Sequence, residues 1–395
     1  MPGARNIIEA LSSLAQKPDF EDDADALALA AQLAKQLELS TKKPEDAAIE
    51  LCFHPSFAAT VRVAINLKLF HHIAIADSTI TAHKLSEVSG CPENLLIRIL
   101  RPISALGFVE EAGENVWSAT PITKAMCIPS VEATHIHCWD QGTMAAVKMP
   151  LYFEEKGYQQ PEDPRNGLFQ YAFNTKKEAF ELWATQPEVI SNFNTCMTGI
   201  RGSRTSWVEW YPVEERLLNA DLRGGDSDVT LVDIAGGRGH DVQAFGRKFP
   251  SSKGRLVLQD LPSVIADIQE LDGRVERVAH DFFTPQPIIG ARVYFFHFIM
   301  HDWSDNVCGD ILSKIVAAME PGYSKLILNE FILPNRGSPL FSTGFDLQMM
   351  TMHAAQERTE TQWERLLERV GLKLVKFWIP PGGGEGIIEA EIPTE

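Results

Sequence analysis

The stretch TLVDIAGGRGHD at residues 230–241 constrains this chain most: an apolar run that stops at glycines and passes into a polar helix start. Glycines after a strand permit a tight turn and let backbone approach a ligand, while the following helix offers free N–H groups. Three further apolar runs follow: RLVLQ (255–259), RVYFFHFI (292–299) and KLILNEFIL (325–333), each separated from the last by helical stretches. That alternation predicts an α/β, doubly wound, Rossmann-like domain over residues 221–395, its parallel sheet covered by helices on both faces.

The loop itself narrows the ligand. Asp260 ends the second run, 21 residues past Gly239, where a carboxylate accepts hydrogen bonds from ribose hydroxyls. The glycines Gly236, Gly237 and Gly239 lack the third glycine of a dinucleotide fingerprint, because Val242 stands at its place. Asp233 precedes the loop, and a carboxylate there repels a pyrophosphate but suits an ammonium group. The combination favours a nucleoside carrying an amino acid over a nicotinamide dinucleotide.

Upstream, residues 1–130 read as helices followed by a winged-helix unit. Ile7, Ile8, Leu11 and Leu14, then Leu27, Leu29, Leu33 and Leu37, lie at helical spacing and predict two amphipathic helices whose apolar stripes want a partner, for which a second subunit is the candidate. Thr81 is placed to cap a helix that Gly90 ends, and Pro92 opens a second helix. Val109 and Trp117 flank an AGEN turn that predicts a β-hairpin. Helix, turn, helix and hairpin often bind DNA, yet Arg98 and Arg101 are the only strongly basic residues of the second helix. With 36 basic against 53 acidic residues the net charge is −17, which argues against nucleic acid or an anionic membrane as partner. A dimerising wing is expected instead, and a winged-helix regulator is the remote alternative. Residues 131–220 read as an aromatic-rich helical connector contributing to an acceptor pocket, with PEDPRNG (161–167) as a loop.

Six cysteines without C-x-x-C spacing predict reduced, scattered thiols and no metal site. Neither a secretory signal nor an apolar run near ~18 residues is evident, so a soluble cytoplasmic protein is expected. His301, Asp302 and Asp305 match no specific metal-ligand pattern, and Asp302 is expected to cap or buttress the helix after it.

VDIAGGRGH, LQDLP, AHDFF, HFIMHDWSD, LNEFILP and QERTETQWERLLERVGL, in that order, resemble plant-type and fungal S-adenosylmethionine-dependent O-methyltransferases across nearly the whole chain. The resemblance implies S-adenosylmethionine (SAM) as cofactor, an N-terminal winged-helix dimerisation domain, a homodimer, and a small-molecule hydroxyl acceptor in secondary metabolism. By it the glycine loop passes the methionine part of the cofactor and Asp260 holds the ribose. Asp281 and Phe282 flank the adenine, and His297 stands where the family often has Lys or Arg near the cofactor. Ala235 replaces the family's usual first glycine.

His301 follows a strand at its C-terminal end, where ligands sit in open α/β sheets. A base near pKa ~6.5 can take the proton of a phenol whose own pKa is near ~10. An imidazole works best with its other nitrogen pinned by a carboxylate. The resemblance implies Glu330 and Glu357 as those carboxylates. Met349, Met350 and Met352, in the stretch between the two glutamates, predict an apolar wall for a flat aromatic or polyketide-like acceptor. A competing reading is a SAM-binding pericyclase or dehydratase, in which His137 supplies an extra acid or base.

Overall fold

A computed structural model describes residues 3–202, 205–218 and 228–394. The chain divides into two compact units, residues 1–147 with 180–204 and residues 148–179 with 205–395. The helical connector is therefore shared: residues 148–179 belong to the second unit and 180–204 to the first.

In the first unit, helices Ala4–Leu14 and Ala24–Thr41 form at the two predicted stripes. Asp23 caps the second, accepting from the N–H groups of Asp25 and Ala26. A stripe of their apolar residues stays outward: Ile8, Leu27, Leu29 and Leu39 are exposed. Thr81 caps helix Ala82–Ser89 through the Lys84 N–H at 3.2 Å, and Gly90 closes it with its N–H on Ser86 O. Pro92 precedes helix Glu93–Ala105, which buries Leu96, Ile99, Leu100 and Ile103. The hairpin pairs β2 (Val109–Gly113) with β3 (Val116–Ala119), and a short β1 (Ile80–Thr81) adds a third strand. Trp117 fills the space beneath them with Leu85 and Leu100. Against the sequence expectation, one helical run, Pro44–Asn66, is long and apolar enough by length and composition to cross a membrane. Its second half instead buries Val61, Ala64 and Ile65 in this core, while Arg62 pairs with Asp140 at 2.8 Å.

The second unit holds the sheet. Its strands are β4 (Val229–Ile234), β5 (Arg255–Asp260), β6 (Val275–Ala279), β7 (Val293–His297), β8 (Lys325–Leu333), β9 (Arg358–Thr359), β10 (Lys373–Trp378) and β11 (Glu385–Glu391). The order is β6-β5-β4-β7-β8-β11-β10, with β9 paired to β8. Strands β6 through β8 are parallel as expected, but β11 runs antiparallel to both β8 and β10, so the sheet is mixed. The charged, alternating sequences of the edge strands β6 and β10 hide them from a search for apolar runs, since an edge strand need not be apolar on both faces, and three glutamates do the same for the interior β11.

Central strands are apolar on both faces because helices cover both. Tyr294 and Phe296 of β7 enter one core with Val232, Leu326 and Leu328, while Val293 and Phe295 enter the other with Leu231, Leu258 and Ile327. Between β4 and β7 the sheet order reverses direction. That reversal opens a crevice at the carboxyl edge, where doubly wound folds take their ligands.

Candidate active site

The glycine loop leaves β4 at that crevice. Gly239 sits at φ +75°, directly before helix His240–Lys248. At Gly236 a Cβ would lie 2.5 Å from Leu258 Cδ1 and from the Asp233 carboxylate, so any side chain there would have to displace both. Ala235 has φ +55°, a left-handed conformation that costs an L-residue roughly 1–2 kcal/mol. Asp233 departs from the sequence expectation. It is fully buried and its Oδ2 accepts from Val242 N–H at 3.2 Å, so it fixes the loop-to-helix turn from inside the sheet.

Asp260, the last residue of β5, accepts from Gly237 N–H at 2.8 Å through Oδ2 and from Leu261 N–H at 2.7 Å through Oδ1. It therefore ties the glycine loop to the neighbouring strand. Asp281 follows β6, is exposed, and accepts from Phe283 N–H at 2.9 Å. Phe282 and Phe283 meet the Trp303 ring at 6.3 and 5.1 Å. His297 ends β7, and its Nδ1 lies 2.9 Å from Asp241 Oδ2 on the first turn of the loop's helix. Asp260, Asp281, Phe282 and His297 thus stand at or just past the carboxyl ends of β5, β6 and β7. The donor set fits a nucleoside: carboxylates for hydroxyls and an aromatic face for a base.

His301 lies four residues beyond β7 and is buried. Its Nδ1 is 2.8 Å from Glu357 Oε1, and Asp302 Oδ1 lies 3.6 Å from its Nε2. The expected helix cap at Asp302 does not form; Ser304 occupies the cap position of helix Asp305–Ala318, and the Asp302 carboxylate lies beside the imidazole instead. Glu330, on β8, also departs in detail. Its Oε1 accepts from the backbone N–H of Ile299 at 3.0 Å and of Met300 at 2.8 Å. It holds the backbone that carries His301, and its charge faces the ring. Phe298, at φ +54°, stacks on the imidazole with centroids 5.1 Å apart and planes 18° apart.

Burial alone would push the His301 pKa down. The carboxylates of Glu357, Asp302 and Glu330 outweigh it and raise the imidazole to about 10. The imidazole of ~6.5 expected from the sequence is thus a much stronger base in its fold. Burial raises the Glu330 carboxyl to about 7, against the pull of His301 and its two backbone donors. One ligand-type atom from each of His301, Glu330 and Glu357 lies within 4.8 Å of the others, close enough to hold a metal ion. Two of those groups are already hydrogen-bonded to each other, and the third to backbone N–H groups. Asp305 faces Arg358 Nε at 2.8 Å, away from any such set.

An aromatic series leads outward from the His301 ring. Phe298 meets Phe331 at 5.5 Å, Phe331 meets Phe345 at 5.1 Å, and Phe345 meets Phe341 at 5.2 Å. Phe341 is 62% exposed. Met349 and Met352 are buried on the same helix, Leu340–His353. In the first unit, His137 is buried edge-on to Trp183 at 4.6 Å, and among the described residues neither ring nitrogen has a hydrogen-bond partner. Burial pushes it down to about 4, so it is neutral at physiological pH.

A family model described as an O-methyltransferase domain matches residues 159–373, more than half of the chain. The chain belongs to the O-methyltransferase family. The O-methyltransferase penC of Penicillium thymicola is 39% identical over 387 residues, covering 97% of this chain and 96% of its own. A solved pericyclic reaction enzyme is 28% identical with a TM-score of 0.88, covering 98% of this chain and all of its own. OxaC in complex with S-adenosylhomocysteine and oxaline is 26% identical with a TM-score of 0.84, covering 99% of both chains. The methyltransferase is SAM-dependent and serves secondary metabolism. Arg358, Asp302, Asp241 and Phe298 were missed as site residues; Arg358 and Asp302 stood beside the motif residues Glu357 and His301 without a spacing signal of their own.

Proposed function

We propose that this methyltransferase methylates a hydroxyl of a flat aromatic or polyketide-like small molecule, with His301 as the base. The observation that carries the reading is the buried His301–Glu357 pair at 2.8 Å, set at the carboxyl edge of the sheet. When bound, SAM supplies an electrophilic methyl group on a positively charged sulfur.

The protein's own residues have three tasks. Asp260 accepts from the ribose hydroxyls while it holds Gly237, and Gly236, Gly237 and Gly239 carry backbone past the amino-acid part, with Asp233 bracing the turn. Asp281 and Phe282 flank the adenine, and His297 holds the loop's helix through Asp241. His301 Nε2 takes the hydroxyl proton as the oxygen attacks, and Glu357 fixes the ring through Nδ1 and stabilises the imidazolium that forms. A base raised to about 10 matches a phenol of pKa ~10, so little driving force is wasted in that transfer. The ring series from Phe298 to Phe341 supports a planar apolar acceptor, which such surfaces hold by stacking.

Residues 1–130 form the dimerisation domain of a cytoplasmic homodimer in this reading, supported by the outward Ile8, Leu27, Leu29 and Leu39. Turnover of a panel of phenols and polyketide hydroxyls with methyl-labelled SAM tests the function. One S-adenosylhomocysteine and one labelled ether per acceptor consumed support it. Conversion that requires SAM but leaves it unconsumed replaces methyl transfer with the pericyclase chemistry.

A further inference from the structure

Arg358 is fully buried, and its guanidinium donates to the short segment that carries His301 and to the start of the helix after it. Its Nη1 donates to Met300 O at 2.8 Å, its Nη2 to Trp303 O at 2.8 Å, and its Nε to Asp305 Oδ1 at 2.8 Å. The guanidinium plane also lies over the Trp363 ring, 5.2 Å from its centroid. Met300 and Trp303 bracket His301 and Asp302 in sequence, so two fork prongs grip the turn on either side of the base. Glu330 grips the same turn from its N–H side, through Ile299 and Met300. Glu357, the partner of His301, is the residue next to Arg358. One two-residue segment therefore supplies both the carboxylate that fixes the ring and the cation that fixes the backbone beneath it.

We infer that Arg358 is a positioning residue for methyl transfer: its planar fork holds the Met300–Trp303 turn so that His301 Nδ1 stays on Glu357. The inference rests on His301 being the base. Geometry makes arginine necessary. Three donors in fixed directions reach two carbonyls and a carboxylate at once, whereas a lysine ammonium keeps the charge but cannot span all three. Burial of a full positive charge also demands this many acceptors, since an unpaired buried charge is costly. The Cys308 thiol adds a donor to Met300 O at 3.2 Å, closing the same carbonyl from another side.

Arg358→Lys separates the clamp from mere charge. The imidazole of His301 faces Glu357, Glu330 and Asp302, with His353 beyond Asp302 and Arg358 behind the turn. In the lysine variant the turn slips, the ring leaves Glu357, and His301 titrates at least one pH unit lower than in the wild type, read by NMR of labelled histidine on the full chain. Loss of a nearby positive charge alone would move it upward. With an acceptor from the panel above, kcat falls ten- to a hundredfold, and the KM for SAM stays within about twofold. An unchanged His301 titration in a folded Arg358→Lys protein, or an equal loss of kcat and of SAM binding, overturns the clamp. Should Arg358→Lys fail to fold, Asp305→Ala removes one acceptor of the fork at a half-exposed position, and a smaller downward shift is expected; no shift overturns the clamp. If His301→Ala keeps full activity, the base reading fails, and the titration of His301 in Arg358→Lys still decides whether the fork positions the ring.

Discussion

His301 and Glu357, 56 residues apart in sequence, meet in the interior with Nδ1 and Oε1 2.8 Å apart. In the proposed mechanism that contact leaves Nε2, with Asp302 Oδ1 3.6 Å away, as the nitrogen for the acceptor.

Replacing His301 by Ala removes the base. General-base assistance contributes ~10²–10⁴-fold, so the rate falls at least a hundredfold while SAM affinity, read by calorimetry, hardly moves. In the wild type kcat/KM climbs on the alkaline side of neutrality, toward a pKa near about 10 and not near ~6.5, as the imidazole loses its proton. An Ala variant lacks that limb; a limb that persists would remove His301 from the proton transfer.

The same pair links stability to pH. Because the folded pKa of His301 is raised to about 10, its contribution is complete below the unfolded value of ~6.5 and is lost as pH rises through about 10. Glu330, raised to about 7, contributes fully below its unfolded value of ~4.3 and loses that contribution as pH passes about 7. Urea midpoints measured from pH 5 to 10 should decline, and His301→Ala should flatten the decline above pH ~6.5. An equally steep upper decline in the variant would assign it to other groups.

Asp260→Ala is expected to weaken SAM by more than ~1 kcal/mol, because hydrogen bonds to a charged group contribute about 1.5–3 kcal/mol. The substitution also releases the Gly237 and Leu261 N–H groups. Titration calorimetry on the folded variant decides it, and unchanged affinity would end the ribose assignment.

Ala235→Gly relieves the left-handed backbone at φ +55°. Relief of roughly 1–2 kcal/mol, less the ~0.5–1 kcal/mol that glycine loses in chain entropy, leaves a gain of up to about 1.5 kcal/mol. Denaturant unfolding monitored by tryptophan fluorescence should show a higher midpoint at constant slope. A lower midpoint would mean that the alanine methyl contributes packing that outweighs the strain.

Deleting residues 1–40 removes helix Ala4–Leu14 and most of Ala24–Thr41, and with them the outward Ile8, Leu27, Leu29 and Leu39. Light scattering should show a monomer or aggregates, with activity lost. A fully active, monodisperse monomer would remove this stripe from dimer assembly.

What the sequence determined by itself was local. Thr81, Gly90 and Pro92 mark helix ends through their own backbone and side-chain chemistry, and the doubly apolar runs of β4, β5, β7 and β8 announce strands covered on both faces. The glycine loop and Asp260 were legible because one turn and one strand end bring them together. Motif order pointed to Glu357, but only the tertiary structure decided which carboxylate touches the imidazole. Glu330 holds the Ile299 and Met300 N–H groups, Asp302 turns from its expected cap toward His301, and Arg358 grips the turn from behind. Sheet order brings the ends of β7 and β8 and the start of β9 side by side, and no periodicity along the chain encodes which strand lies next to which. The antiparallel β11 was hidden for a related reason: Glu385, Glu389 and Glu391 break its apolar pattern. Glu389 is buried where Arg216, Tyr211, Trp378 and Lys325 converge on it from other positions in the chain. Burying that charge depends on partners that the fold alone assembles.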